Sequence, residues 1–348
     1  MWRMVLRDLQ WRRRRFILAG LATSLVFAVT LVLTGVSTSV HQESKRVVAR
    51  FDADVWMVGR GVSGPFTSAA SLPVTAADVV AAVPGVTRAE PVALLRATLR
   101  DDDVLDVNLI GIRVGGLGEP TPSEGSRLAG PGEAVVDEDL GVELGDTITL
   151  GGHPLRVVGL ADRIRYTFGI PTVFVPVEDA QRVSLGGAPV ISTVVVQGTP
   201  QTVPDGLQAM DDGEVLADLE RPLARATDSI DLILVLLTIT AAGIVGLIVY
   251  LSTIERMADL AVLKATGSSK RFMAFGLAVQ ALLLSIASAA AAAVLAALIG
   301  PAFPVTLEVQ GSTYIRLLAL AVTVGVVASF AGVWRAIRVD PVSAFGGR

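Results

Sequence analysis

Cysteine is absent from this chain of 348 residues, and histidine occurs only twice, at His41 and His153. Without thiols there is no disulfide framework, no zinc–thiolate site and no thiol nucleophile. Two histidines so far apart in sequence do not furnish a His-based metal cage. Charge is scarce as well: Asp, Glu, Lys and Arg make up 18% of residues, and the formal net charge is −4. Such a chain lacks the basic surface that nucleic-acid binding requires. No G-x-x-x-x-G-K-[ST] phosphate loop occurs, and Gly267-Ser268-Ser269-Lys270 lacks its spacing. A G-x-S-x-G nucleophile motif is missing too. No catalytic residue and no cofactor is therefore assigned to this chain, and any ATP that drives it is expected on another subunit.

What the chain has in excess is apolar sequence. Hydrophobic residues reach 52%, concentrated in four blocks without charge: Phe16–Val40, Leu232–Leu251, Phe272–Ile299 and Leu317–Trp334. Roughly 20 apolar residues in a helix cross a bilayer core of about 30 Å. Four buried helices of a soluble domain are the competing explanation, but uncharged runs this long are rare in water-soluble folds. At the N-terminus, Arg13-Arg14-Arg15-Phe16-Ile17-Leu18 faintly resembles a twin-arginine export signal, and Ser37-Thr38-Ser39 is a poor cleavage site. The first run is longer than a signal core and reads as a retained span. The expected fold class is an integral membrane α-helical protein, with four transmembrane helices and a mixed α+β extracytoplasmic domain between helices 1 and 2.

Orientation follows from the basic residues. Arg3, Arg7 and Arg12 to Arg15 precede the first block; Arg256, Lys264, Lys270 and Arg271 separate the second and third; Arg335, Arg338 and Arg348 follow the fourth. The loop from Gly300 to Thr313 has neither Lys nor Arg. The chain is thus expected N-in and C-in; its richness in Ala, Val, Gly and Arg, without Cys, fits the cell membrane of a bacterium. Its segments are a cytoplasmic tail 1–15, span 16–40, outer domain 41–228, span 229–251, cytoplasmic loop 252–271, span 272–299, outer loop 300–313, span 314–334 and cytoplasmic tail 335–348. Residues 41–228 hold 27 Asp and Glu against 15 Lys and Arg, so nearly all the acid lies there. No span carries a charge near its middle, which disfavours an ion or proton path. The small pairs Ala242/Gly246 and Gly325/Ser329 let helices approach closely, either within the bundle or along a dimer seam.

The outer domain reads as mixed. Asp54–Val58 alternates as a strand. Thr75-Ala76-Ala77-Asp78 looks like a capping-box helix start, ended by Pro84-Gly85. Val104–Val114 reads as a strand interrupted by Gly111. Residues 147–150 and 155–158 flank Gly151-Gly152 as a hairpin. Thr172–Val177 and Ile191–Val196 are β-branched strands, with a short helix at Glu178–Val183. Glu214–Ala226 reads as an amphipathic helix leading straight into the second span, a rigid joint. Asp101-Asp102-Asp103 and Asp137-Glu138-Asp139 are carboxylate clusters that a hard cation would suit, but a solvated turn and a helix N-terminus explain them as well. No metal site is assigned. His153 sits in a Gly-Gly-His-Pro turn.

The segment between the second and third spans is the most informative. In Glu255-Arg256-Met257-Ala258-Asp259-Leu260-Ala261-Val262-Leu263-Lys264-Ala265-Thr266-Gly267, Met257, Leu260, Ala261 and Lys264 share one helical face, and Gly267 supplies a C-terminal stop. A short amphipathic helix at the membrane surface follows, with or without a partner. The pattern resembles E-R-x-x-E/D-x-A-x-L-K/R-A-x-G of the FtsX-like, MacB-type permease family. Arg338-Val339-Asp340-Pro341-Val342-Ser343-Ala344-Phe345 is similar to that family's closing R-x-D-P-x-x-A-L, with Phe345 in place of Leu. The order of one span, a large outer domain and three spans also matches. The resemblance implies the permease subunit of an ABC transporter, of exporter or mechanotransmission type, paired with a second copy or homologue. It implies a separate ATPase subunit that binds ATP-Mg. Glu255, Arg256, Asp259, Leu260, Leu263, Lys264 and Gly267 would form the docking helix, with Leu260 and Leu263 entering the ATPase groove and Arg256, Asp259 and Lys264 at its rim. The outer domain would meet a protein or an amphiphilic substrate. The alternative is a non-transporting transmitter that regulates an extracytoplasmic partner such as a cell-wall hydrolase. An uptake permease would need an E-A-A-x3-G loop, which is absent, and a membrane-anchored enzyme lacks a catalytic motif.

Overall fold

The computed structural model describes residues 13–69, 72–100, 104–161, 170–255, 270–299 and 311–337. Among these described residues four helices are long and apolar enough to cross a membrane: α1 (Arg13–Arg50), α4 (Asp212–Glu255), α5 (Lys270–Ile299) and α6 (Gly311–Ile337). The chain divides into two compact units, Val40–Arg225 and the remainder. Helices α1 and α4 each continue through the boundary without a break. α1 runs past its apolar block to Arg50, and α4 begins at Asp212, well before its own.

In the helical unit, Phe27 and Leu31 of α1, Val245 and Val249 of α4, Ala281 and Leu284 of α5, and Ala321 and Val324 of α6 form one buried cluster. Lipid is as apolar as leucine, so close backbone approach replaces the hydrophobic effect here. Gly325 shows the need: a Cβ there would lie 2.9 Å from Leu282 Cα in α5. Gly325 therefore serves packing within the bundle, and Ser329, also buried, donates its hydroxyl to the Val326 carbonyl of its own helix.

The other unit, the β domain, holds β1 (Val55–Gly59), β2 (Leu72–Pro73), α2 (Ala76–Ala81), β3 (Val86–Arg100), β4 (Val104–Ile112), β5 (Glu124–Gly125), β6 (Glu133–Asp137), β7 (Thr147–Leu150), β8 (His153–Ala161), β9 (Thr172–Pro176), α3 (Val177–Leu185), β10 (Val190–Ile191), β11 (Thr193–Gly198) and β12 (Leu207–Met210). Among the described residues nine strands pair in the order β12-β1-β11-β3-β4-β9-β6-β8-β5, and a tenth, β7, pairs with both β3 and β8. Strands β3, β4, β9, β6, β8 and β7 thereby close a ring, which removes their free edges. Pairs β4–β9 and β6–β8 are parallel; the others are antiparallel.

Side-chain alternation splits the core into two clusters. Met57, Val194 and Val196 join the one containing α2 and α3; Trp56, Val58 and Val195 join the other, with Phe51, Val215 and Leu219. The hairpin expected at Gly151-Gly152 is present, with Leu150 opposite His153 and both glycines at positive φ, as a two-residue turn requires.

Three local readings are corrected. Thr75 precedes α2 but its side chain makes no capping hydrogen bond, because its own backbone is already helical. Gly111 does not interrupt β4: it pairs in register with Ala93, and a Cβ there would lie 2.6 Å from Ala180 Cβ. Glycine is what lets α3 lie on the sheet. Finally β3, with 15 residues, escaped the sequence pattern altogether. Pro84-Gly85 leads into it, and Pro91 and three arginines mask its alternation.

Candidate functional site

Of the docking residues expected from the sequence, Glu255 is the last residue of α4 and is exposed. Arg256, Asp259, Leu260, Leu263, Lys264 and Gly267 lie outside the described residues, as do Asp101, Asp102 and Asp103. The other carboxylate cluster caps a short 3-10 turn: Asp137 accepts a hydrogen bond from the Asp139 backbone N–H at 3.0 Å. Among the described residues no group of three His, Asp or Glu is placed to hold a metal. His153 opens strand β8, half-buried.

The structure instead brings together a set of residues where α4 enters the β domain. Asp211 and Glu214 form a reciprocal capping box. The Glu214 N–H donates to Asp211 Oδ1 at 2.8 Å, and the Asp211 N–H donates to Glu214 Oε2 at 3.1 Å. One turn on, Asp218 is fully buried. Its carboxylate accepts from the backbone N–H groups of Phe66 at 2.9 Å and Thr67 at 3.2 Å, and from the Thr67 hydroxyl. The Arg221 guanidinium lies 3.4 Å from Asp218 Oδ1 and also donates to the Ser63 carbonyl. A buried carboxylate is tolerated only with such a complete set of donors.

Glycine at position 64 makes the approach possible, since a Cβ there would sit 2.1 Å from Asp218 Cγ. Gln208 ties the other end of the loop, accepting from the Gly61 N–H and donating to the Val62 carbonyl. Below it, Trp56 is fully buried and its indole N–H donates to Asp212 Oδ1 at 3.0 Å. Phe51, just past the end of α1, meets Trp56 edge-on at 4.9 Å. His41 Nδ1 of α1 lies 2.7 Å from Glu220 Oε1 of α4. Both long helices are thus fastened to the β domain: α1 through Phe51, α4 through Asp212 and Asp218, and to each other through His41 and Glu220.

The periodicity held a signal for this lock. Val215 and Leu219 lie on the buried face of α4, and Asp218 sits between them on that same face. An acid at spacing three and four among apolar residues marks a buried partner. Pro222 lies inside α4, one turn beyond Asp218, and its missing N–H leaves the Asp218 carbonyl without its helical donor.

Comparison with known proteins fits this architecture. Residues 19–210 match the MacB-like periplasmic core domain, and residues 232–341 match the FtsX-like permease C-terminal region. A Mycobacterium bovis protein and a Mycobacterium tuberculosis protein, each named an uncharacterised ABC transporter permease, are 39% identical over 345 residues, covering 98% of this chain and 98% of theirs. This chain belongs to the FtsX-like, MacB-type ABC transporter permeases. A second Mycobacterium tuberculosis permease is 38% identical over 343 residues, again with 98% coverage of both chains. The periplasmic region of MacB from Actinobacillus actinomycetemcomitans covers 48% of the permease and 92% of its own chain, at 14% identity and a TM-score of 0.36. The permease is a membrane protein of the bacterial cell membrane, a subunit whose four spans enclose the β domain in sequence between the first and second.

Proposed function

We propose that the permease is the membrane subunit of an exporter or mechanotransmission ABC system in which a separate ATPase, carrying ATP-Mg, docks on residues 255–267. In this reading the N- and C-termini face the cytoplasm and the β domain lies outside. Leu260 and Leu263 enter the ATPase groove, Arg256, Asp259 and Lys264 form its polar rim, Glu255 opens the docking segment and Gly267 ends the helix. A second permease copy or homologue completes the membrane part.

One observation carries the reading. Two spans, α1 and α4, continue as unbroken helices into the β domain and are fastened there by buried groups. A displacement of the segment after Glu255 is then delivered along α4 to Asp218 and the 63–67 loop. The uncharged middles of the spans favour conveying motion over passing a hydrophilic solute. The same feature supports the second reading, a non-transporting transmitter acting on an extracytoplasmic partner such as a cell-wall hydrolase.

The test is affinity purification of the tagged chain in mild detergent with mass spectrometry. An ABC ATPase is expected with the wild type and lost with Leu260→Asp, which places a charge on the contact face while membrane insertion is unchanged. Undiminished co-purification of the variant would remove Leu260 from the interface. Failure to recover an ATPase under several mild conditions would overturn the docking reading. An outer hydrolase in the same sample would favour transmission over export.

A further inference from the structure

Within the helical unit, α1, α4 and α6 leave a groove between them of about 370 Å³, a volume in the roughly 300–1,000 Å³ range of ligand pockets. It runs along the parts of α1 and α4 that lead, in sequence, toward the β domain. Its floor is apolar, with Leu31 of α1 and Leu320 of α6; its polar lining is Thr30, Thr34, Thr238, Thr313 and Arg316.

Arg316 is unusual. Between Arg271 and Arg335 no other Lys or Arg occurs. It is exposed, and among the described residues no carboxylate lies within ion-pair distance of it. That includes Asp231, one helical turn from the groove-lining Val235 on α4, which is also exposed. A guanidinium beside an apolar groove, with no counter-charge among the described residues, is complementary to a phosphate, which its planar fork meets bidentately. Three of the four threonines narrow the ligand further. The hydroxyls of Thr30, Thr34 and Thr238 already donate to the carbonyls of Val26, Thr30 and Leu234 in their own helices. Their oxygens retain only acceptor capacity, which suits a headgroup that brings hydroxyl donors.

We propose that this groove holds a membrane amphiphile with an anionic phosphate headgroup: the phosphate on Arg316, headgroup hydroxyls on the threonine oxygens, and an acyl chain along Leu31 and Leu320. Under the orientation proposed above, which sets only the leaflet, the amphiphile comes from the outer leaflet.

The test places the full-length chain in phosphatidylcholine nanodiscs doped with phosphatidylglycerol bearing a photoreactive acyl chain, and maps the adducts by peptide mass spectrometry. Adducts are expected to concentrate on peptides containing residues 30–34, 234–239 and 316–320. Labelling should fall several-fold in Arg316→Gln, persist in Arg316→Lys, and be weaker and indifferent to residue 316 with photoreactive phosphatidylcholine. Persistence in Arg316→Lys separates loss of charge from loss of fold. Adducts spread evenly over the exposed spans, including Val326 and Phe330, would overturn the proposal, as would labelling unchanged in Arg316→Gln. Disulfide capture between two copies carrying Leu320→Cys would assign the groove to a second permease instead. A nanodisc offers both leaflets, so a reversed orientation would leave these results unchanged and show itself only in sidedness measurements.

Discussion

Asp218 is the residue on which the β domain's hold over α4 depends. Removing a buried carboxylate that satisfies two backbone N–H groups and a hydroxyl leaves those donors unpaired, at a cost of about 3 kcal/mol. Asp218→Ala should therefore lower the stability of the β domain by about that amount. Hydrogen exchange on the full-length chain should show the Phe66 and Thr67 amides losing protection, while those of β6 and β9 keep theirs. Retained protection at Phe66 and Thr67 would show that the loop is held by other contacts. The hydrogen bond between His41 and Glu220 is half-exposed, so it contributes less, of order 0.5–1 kcal/mol. Trp56 combines complete burial with a satisfied indole N–H, and its loss would open a cavity between the end of α1 and the start of α4.

At the scale of elements, two glycines set how closely neighbours pack. Gly111 of β4 faces Ala180 of α3, and Gly325 of α6 faces the backbone of Leu282 in α5. Overpacking costs typically 1–3 kcal/mol. Gly111→Val should destabilise the β domain on that scale, read as a fall in its unfolding midpoint in denaturant. Gly325→Leu should push α5 and α6 apart and lower the thermal unfolding temperature of the detergent-solubilised protein. An unchanged midpoint in either case would mean that the neighbouring helix yields without loss. Pro222 is a different kind of feature. It takes one hydrogen bond out of α4 close to Arg225, where the β domain ends, so the joint read as uniformly rigid from the sequence contains a point of lower bending stiffness.

At the scale of the whole molecule, the absence of cysteine makes sidedness directly measurable. Single substitutions Ser126→Cys, in an exposed loop of the β domain, and Ser343→Cys, after the last span, provide unique thiols. With a membrane-impermeant maleimide on intact cells, Ser126→Cys should react and Ser343→Cys should react only after lysis. The opposite pattern would reverse the orientation inferred from the basic residues. Both labels from one side would require an even number of spans between them.

The four helices and the break between membrane and β-rich parts were legible because the signal is compositional: uncharged runs of about 20 residues survive any uncertainty in tertiary structure. The same holds for the hairpin at Gly151-Gly152, where two glycines set a turn geometry on their own. The sequence pattern also carried the family resemblance, in the Glu255–Gly267 segment and the closing Arg338–Phe345. What only the tertiary structure decided concerns groups whose partners are remote in the chain. Asp218 meets Thr67 across 151 positions, and β3 is recognisable by its neighbours β4, β7 and β11 more than by its own alternation. Gly111 reads as a break along the strand and proves to be a contact across the sheet. The groove beside Arg316 arises from three helices that no local pattern aligns. Periodicity reports which face of an element is apolar; it does not report what is packed against that face, and the lock and the groove are both made by that second fact.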